Sequence, residues 1–204
     1  MWLAIIAAVV IGYLLGNLNG AVFVSKMMAH DDVRDHGSGN AGLTNFIRNY
    51  GAGKSLLVIG IDAGKAVVSC LVGGLLLKRF DMYVSGAALA GAAVLLGHAF
   101  PVFLGFRGGK GILSGLFVAI MVDWRIALLI LAVFSVAYLT TQYVSLGSVL
   151  AAITFGIGFA VFHSDDTVVL LCGLLMSVLV VFMHRQNIVR LLKGQERKTN
   201  LFKK

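Results

Sequence analysis

The sequence predicts an all-α integral membrane protein, and composition, hydropathy and the arrangement of apolar residues carry that prediction. Apolar residues make up 59% of the 204-residue chain, charged residues only 13%, and the mean hydropathy is +0.93. Soluble domains are about half apolar and a quarter charged. The apolar residues also form long runs separated by short polar segments, as in helices that satisfy their own backbone hydrogen bonds inside a bilayer.

Seven apolar runs predict about seven transmembrane helices in one compact bundle, and a single domain over residues 1–204. The run at 112–122 is too short to cross alone, so it must borrow flanking residues, form a half-helix or pack inside the bundle. The first run lacks the basic start and the cleavage site of a signal peptide, and we expect it to be retained. The runs are residues 2–26, 55–77, 83–104, 112–122, 126–142, 146–162 and 167–183.

Basic residues indicate which helix ends face the cytoplasm. If the runs alternate across the bilayer, residues 26–54, 105–111 and 184–204 share one side, and these segments hold thirteen of the seventeen lysines and arginines. The positive-inside rule then places them in the cytoplasm, with the N-terminus outside and the basic C-terminal segment 184–204 inside. The net charge of +8 reflects topology and attraction to anionic lipid, and no nucleic-acid partner is expected.

The stretch HGSGNAGLTNFIR, residues 36–48, has the G-x-G-x-x-G spacing of a dinucleotide-binding loop. That loop needs a buried strand before it, whereas polar residues precede this one, so a nucleotide is excluded. The glycine N–H groups can still bind phosphate, although a solvated turn with a helix cap is the alternative. Five side chains would assist as neutral donors or as a bidentate cation: Ser38, Asn40, Thr44, Asn45 and Arg48.

A second segment of the same side, HAFPVFLGFRGGKG at residues 98–111, places Lys110 among glycines. A lysine flanked by glycines can approach a phosphate closely, whereas a loop that serves only topology has no need of GGKG. His98 receives no chemical role, because it could equally be a polar residue hydrogen-bonded within the bundle.

The third segment, HRQNIVRLLKGQERK at residues 184–198, follows the last run. Helical spacing places His184 and Asn187 on one face, and a basic amphipathic tail at a lipid surface does not explain these two residues well. Ser145 and Ser148 belong to the same leaflet, although small hydroxyls in membrane helices more often serve packing. Together the three segments indicate an anionic substrate with at least one phosphate.

Asp62, Lys65, Cys70 and Cys172 all fall inside the apolar runs. Asp62 and Lys65 are three positions apart and predict an ion pair on one helix face. Cys70 and Cys172 have no metal-ligand or redox spacing, and we interpret them as packing residues.

The three ordered segments resemble the motifs of the bacterial acyl-phosphate:glycerol-3-phosphate acyltransferase family, over about residues 11 to 198. The resemblance implies a seven-span enzyme of the bacterial cytoplasmic membrane, with its active site on the cytoplasmic side. It implies transfer of an acyl group from acyl phosphate to the 1-hydroxyl of glycerol 3-phosphate, giving lysophosphatidic acid and phosphate. The implied partners are the lipid bilayer and a soluble enzyme that makes the acyl phosphate, and no metal or cofactor is expected.

The resemblance also implies the site residues. Arg48, Lys110 and His184 are the expected catalytic residues. The expected substrate-binding residues are Gly37, Ser38, Gly39, Asn40, Thr44, Asn45, Arg48, Gly108, Gly109, Lys110, Gly111, Ser145, Ser148, His184 and Asn187. Either His184 or a substrate phosphate could accept the proton of the glycerol hydroxyl.

Three positions depart from the family's usual motifs. Leu43 and Leu113 replace alanines, which predicts a different acyl-chain groove, and Asn19 replaces a proline, which leaves the bend of the first helix open. A different class of function, a carrier for phosphorylated small molecules, would also use a basic groove, but it predicts polar residues continuing to the outer face. A structural scaffold would leave the glycine motifs unexplained.

Overall fold

The computed structural model describes residues 1–199, and all regular structure in that range is helical. Residues 200–204, the end of the predicted segment 184–204, lie outside the described residues. Two short 3-10 turns, Val33–Asp35 and Val102–Leu104, lie in the connections. The α-helices are α1 (Trp2–Gly16), α2 (Gly20–Ala29), α3 (Leu43–Tyr50), α4 (Ser55–Lys78), α5 (Tyr83–Ala99), α6 (Ile112–Val122), α7 (Trp124–Thr141), α8 (Val144–Phe162), α9 (Thr167–Met183) and α10 (Arg185–Leu192).

Five helical segments of residues 1–199 are long and apolar enough to span a membrane: α1 with α2, α4, α5 with the turn after it, α7, and α8. The pair α9 and α10, bent by 55°, would make a sixth. The 11 residues of α6 rise only about 17 Å, so α6 does not cross a core of about 30 Å alone. It packs inside the bundle against α4, α5 and α7. The all-α membrane fold is thus confirmed, with five or six spans by this criterion.

The first apolar run is broken into α1 and α2. Asn19 stands between them in an extended conformation, and its side-chain oxygen accepts a hydrogen bond from the Val22 N–H, 3.0 Å away, as the N-cap of α2. Its amide nitrogen donates to the carbonyl oxygen of Ala41 at 3.0 Å. The break is therefore present with Asn19 in place of a proline, because a capping side chain starts a new helix there.

Glycines bring α1, α4 and α5 into backbone contact. A Cβ atom added to Gly16 of α1 would lie 2.8 Å from the Cα of Gly97 in α5. A Cβ on Gly86 of α5 would lie 2.9 Å from the carbonyl carbon of Gly73 in α4. Small residues allow such approach where lipid supplies no hydrophobic drive for helix association.

Side chains, in contrast, fill the space between α7, α8 and α9. Most glycines there face side chains: Gly158 meets Ile126, and Gly173 meets the Phe159 ring, whereas Gly147 meets both the ring and the carbonyl oxygen of Phe134. Cys70 and Cys172 are free and buried within the same core cluster, in agreement with a packing role.

We expect Gly73→Ala to destabilise the protein by about 1 to 3 kcal/mol, since its methyl group would press on the backbone of Gly86 and on Ala90. Gly60, in the same helix, has no atom within 4 Å of an added Cβ, so Gly60→Ala is the matched control and should be neutral or slightly stabilising. Thermal unfolding in detergent measures both. Equal midpoints for the two variants would contradict the close packing of α4 on α5.

Candidate active site

A cavity of about 640 Å³ lies where the three motif segments meet. Charged and polar side chains, most of them from the motif segments, line one part of it, and the rest is lined by apolar residues that come chiefly from α6 to α9, with Leu95 from α5. The apolar lining includes Leu113, Leu116, Ile130, Leu131, Phe134, Ala151, Phe155, Met176 and Val180. The cavity therefore suits a ligand with an anionic head and an apolar tail.

Asn45 shapes the glycine loop of the first motif. This buried side chain accepts a hydrogen bond from the Ser38 N–H at 3.0 Å, and its amide nitrogen lies within 3.1 Å of the carbonyl oxygens of Val33, His36 and Asn40. Its hydrogen-bonding capacity is thus used within the loop. Gly37 has φ +61°, and a Cβ there would collide with Asn45, so the motif needs glycine at this position for the turn itself.

Gly108 and Gly109 of the second motif pack against His98. The Gly109 N–H donates to the His98 carbonyl oxygen at 3.0 Å, and added Cβ atoms would meet that carbonyl from Gly108 and the imidazole ring from Gly109. Gly111, with φ +82°, begins α6 in the left-handed conformation. These glycines allow the loop to lie directly on the end of α5, which presents Lys110 to the cavity.

Arg34 joins the first two motif segments. Its guanidinium pairs with Asp32 at 2.7 Å and donates to the carbonyl oxygens of Leu104 at 2.8 Å and Arg107 at 3.3 Å. The hydrogen bonds from Arg34 lower the pKa of Asp32 well below its ordinary value, so the pair is charged at neutral pH. Sequence reasoning treated Arg34 only as a topology signal and missed this contact.

Asp62, Lys65 and His98 form a buried group below the loops. Lys65 Nζ lies 2.6 Å from Asp62 Oδ1, which confirms the predicted ion pair, and 2.7 Å from His98 Nδ1. Because an ammonium only donates, His98 Nδ1 accepts, and the ring carries its proton on Nε2. Lys65 also donates to the Leu18 carbonyl at 2.6 Å, and Asp62 accepts from the Gly20 N–H at 3.2 Å. The group therefore links the break between α1 and α2 to the second motif.

The polar part of the cavity gathers cations from three segments. Arg48 of α3, Lys110, and Arg190 of α10 all line it, together with Glu196 from the segment after α10. Lys110 Nζ donates to Asn187 Oδ1, and Arg190 Nε donates to Glu196 Oε2 at 2.7 Å. Such a group of donors is complementary to a phosphate.

Burial modifies the charges of these groups. It lowers the pKa of Lys110 to about 8, with a further lowering by Arg190, and it lowers the pKa of Arg48. Burial alone would raise the pKa of Glu196, but hydrogen bonds from Arg190 and Asn187 outweigh it and the net shift is downward. An incoming phosphate would restore the charge that burial makes costly on Lys110.

His184 is fixed by its backbone partner. Its Nδ1 lies 2.8 Å from the Val180 carbonyl oxygen, and since a carbonyl only accepts, Nδ1 carries a proton. The Nε2 atom is left for a ligand.

Most of the predicted site residues line the large cavity. These are Gly37, Ser38, Asn40, Thr44, Asn45, Arg48, Lys110, Gly111, Ser145, Ser148, His184 and Asn187. Gly39 lines a smaller cavity of about 160 Å³ that shares Lys110 and Asn187 with the first, whereas Gly108 and Gly109 line neither. Arg190, Glu196 and Arg197 also line the large cavity and were not among the predicted site residues, although all three lie in the third motif and helical spacing could place Arg190 on the face of His184 and Asn187.

Comparison with known proteins agrees with this geometry. Residues 6–194 match the family described as "Glycerol-3-phosphate acyltransferase". A protein of that name from Thermoanaerobacter sp. (strain X514) is 40% identical over 189 residues, which cover 93% of this chain and 92% of the relative. The chain belongs to the glycerol-3-phosphate acyltransferase family. The family predicted from the three motifs is therefore confirmed.

Further members and solved structures are similar over nearly the whole chain. The family member from Neisseria meningitidis serogroup C is 37% identical, with 95% of this chain and 96% of the relative covered. A crystal structure of PlsY (YgiH), "an integral membrane glycerol 3-phosphate acyltransferase", in its glycerol 3-phosphate form superposes with a TM-score of 0.87 at 33% identity, covering 98% of this chain and 99% of the other. Its lysophosphatidic acid form gives 0.84 at 32% identity, covering 96% and 95%.

Proposed function

We propose that this protein transfers an acyl group from acyl phosphate to the 1-hydroxyl of glycerol 3-phosphate, giving lysophosphatidic acid and inorganic phosphate. One observation carries the proposal: a single cavity joins a cationic part, with Arg48, Lys110 and Arg190, to an apolar part between α6 and α9. Acyl phosphate and lysophosphatidic acid each combine a phosphate with a long apolar chain. Membership of the family supports glycerol 3-phosphate as the acceptor, and the resemblance of the motifs supports acyl phosphate as the donor.

The predicted site residues have different roles in this proposal. Arg48 and Lys110 balance phosphate charge, His184 and Asn187 position glycerol 3-phosphate, and the hydroxyls of Ser38, Thr44, Ser145 and Ser148 complete the polar wall. Gly37, Gly39, Gly108, Gly109 and Gly111 shape the two loops that carry these side chains. Asn40 lines the cavity, and Asn45 maintains the first loop.

The chemical step needs little beyond alignment and charge stabilisation, because an acyl phosphate is already an activated mixed anhydride. The hydroxyl oxygen of glycerol 3-phosphate attacks the acyl carbonyl carbon, and the bond from that carbon to the phosphate oxygen breaks. The departing phosphate takes the hydroxyl proton. Lys110, aimed into the cavity from the GGKG loop, neutralises the charge that grows on this leaving group.

We propose a multi-pass arrangement in the bacterial cytoplasmic membrane, with seven apolar segments alternating, the N-terminus outside and the motif loops in the cytoplasm, in which α6 crosses only together with flanking residues. The thirteen basic residues of the motif-bearing segments support this orientation. In this arrangement Lys110, which directly precedes Gly111 and the short α6, would lie near the cytoplasmic surface of the membrane and beside the apolar part of the cavity. A soluble enzyme that makes acyl phosphate would deliver the donor from this side.

Purified protein in lipid, given acyl phosphate and labelled glycerol 3-phosphate, should form labelled lysophosphatidic acid and an equal amount of phosphate. Acyl-CoA in place of acyl phosphate should give little product, because its acyl carbon is bonded to a thiol sulfur and its phosphate groups lie far from that bond, so none of them is the leaving group that the cationic part of the cavity would stabilise. No product with acyl phosphate would refute the proposed reaction, and equal rates with both donors would refute the donor assignment.

The carrier alternative finds less support in the lining of the cavity. A carrier needs polar residues that continue toward the opposite face, whereas this cavity continues into Ile130, Phe134, Phe155 and Met176. Those side chains suit an acyl chain and would obstruct a hydrophilic phosphate ester.

A further inference from the structure

Asn187 connects a cation and an anion within the cavity. Its side-chain oxygen accepts a hydrogen bond from Lys110, and its side-chain nitrogen donates to Glu196 Oε1 at 2.9 Å. Glu196 holds its second oxygen against Arg190 at 2.7 Å, and its side chain is only 6% exposed. Glu196, Asn187 and Lys110 thus form a continuous chain of hydrogen bonds from the segment after α10 to the GGKG loop.

The chemistry of the two ends fixes the direction of the amide between them. An ammonium has only donors and a carboxylate only acceptors, so Asn187 must turn its oxygen to Lys110 and its nitrogen to Glu196. Without the carboxylate, the amide could rotate and place its N–H groups against the ammonium. Glu196 therefore determines whether Asn187 holds Lys110 or repels it.

Glu196 also counters the positive charge around Lys110. Arg48 of α3, Arg190 of α10 and Arg197 of the segment after α10 line the same cavity. Of the three charged groups that act on the pKa of Lys110, Arg190 and Arg48 lower it and Glu196 raises it. Since Lys110 is half-enclosed with cations on two sides, its own charge depends on a nearby anion.

We propose that Glu196 is a positioning residue, which through Asn187 aims Lys110 into the cavity and keeps its ammonium charged until a phosphate arrives. The inference rests on the proposed function only for the identity of that phosphate. Glu196 itself touches no reacting atom. The effect of Glu196 is measured as the protonation of Lys110. The role of Glu196 can therefore be tested separately from the proposed acyl transfer.

The direct test measures the protonation of Lys110 without any turnover. Membrane vesicles that contain the full chain are treated with trace acetic anhydride from about pH 6 to about pH 10, a range that spans free and shifted lysines. Mass spectrometry then gives the acetylation of Lys110 relative to the exposed Lys54. In Glu196→Gln the pH at which acetylation of Lys110 is half-maximal should fall by roughly one unit, because an opposite charge has been removed. Glu196→Asp, which retains the charge, should keep the wild-type midpoint.

The pH dependence of kcat/KM gives a second measure of the pKa of Lys110, since it reports the pKa values of essential groups in the free enzyme. Charged Lys110 is the active form, so activity falls as the pH rises through its pKa, and a lower pKa moves that fall to lower pH in Glu196→Gln. A merely structural role of Glu196 would reduce kcat/KM at every pH without changing the pH at which it falls.

Glu196→Ser serves as a second neutral variant, with the same expectation. An unchanged or raised Lys110 midpoint in the neutral variants would overturn the proposal. So would loss of folded protein in both of them while Glu196→Asp folds, which would leave Glu196 a structural residue. If acyl transfer itself fails for the wild type, the acetylation midpoints still decide the role of Glu196.

Discussion

Lys110→Met is expected to reduce kcat/KM for acyl transfer by roughly 100- to 1,000-fold, the loss that follows removal of one donor to a developing oxyanion. Lys110 projects into the cavity from a loop held by Gly109 and His98, and its only side-chain partner among residues 1–199 is the neutral amide of Asn187. Its ammonium is therefore free to meet a phosphate. Methionine keeps an unbranched apolar stem of similar size and removes the charged amine.

Lys54→Met is the matched control, because Lys54 is an exposed lysine outside the cavity lining. It should retain the wild-type rate of lysophosphatidic acid formation. Both variants should elute as folded protein with the wild-type unfolding midpoint. A folded Lys110→Met protein with more than about a tenth of wild-type kcat/KM would show that Lys110 does not stabilise the transition state.

Asp62→Leu is expected to cost about 3 to 5 kcal/mol of stability, since it leaves the ammonium of Lys65 buried without its counter-charge. The Lys65 side chain is 1% exposed and that of Asp62 is 3% exposed. Water therefore cannot replace the lost partner. Thermal unfolding in detergent should show a much lower midpoint.

The double variant Asp62→Leu with Lys65→Met removes both charges and should recover most of the lost stability. This comparison separates an unpaired charge from a change of shape at position 62. A double variant as unstable as the single one would mean that the contacts of Asp62 with the α2 N-terminus matter more than the pairing itself.

The apolar runs and the three motifs were sufficient to predict the helical membrane fold and most of the charged and polar side chains that line the cavity. Long apolar runs predict helices because a backbone inside a bilayer must satisfy its own hydrogen bonds. The motifs predict the site because their residues have few other uses in membrane loops. The pair Asp62 and Lys65 was predictable because its spacing is local.

The remaining contacts are tertiary and leave no local pattern. Arg34 reaches carbonyl groups some 70 positions away, and His98 meets Lys65 across 33 positions. In the sequence, Glu196 is one charged residue of a basic tail. An acid among so many cations could have been used as a signal that it pairs with one of them. The break at Asn19 depends on a capping bond that hydropathy does not register.

The contrast between the two halves of the bundle bears on how such a protein can change over evolution. The helices α1, α4 and α5 touch through glycine backbone, and the loop that carries Lys110 is anchored on the end of α5. Few substitutions are tolerated there. The apolar part of the cavity is formed mainly by side chains of α6 to α9, where a larger or smaller residue alters the volume of the cavity without moving the anchored loop. The length of the preferred acyl chain can therefore diverge among relatives while the geometry at the phosphate stays constant.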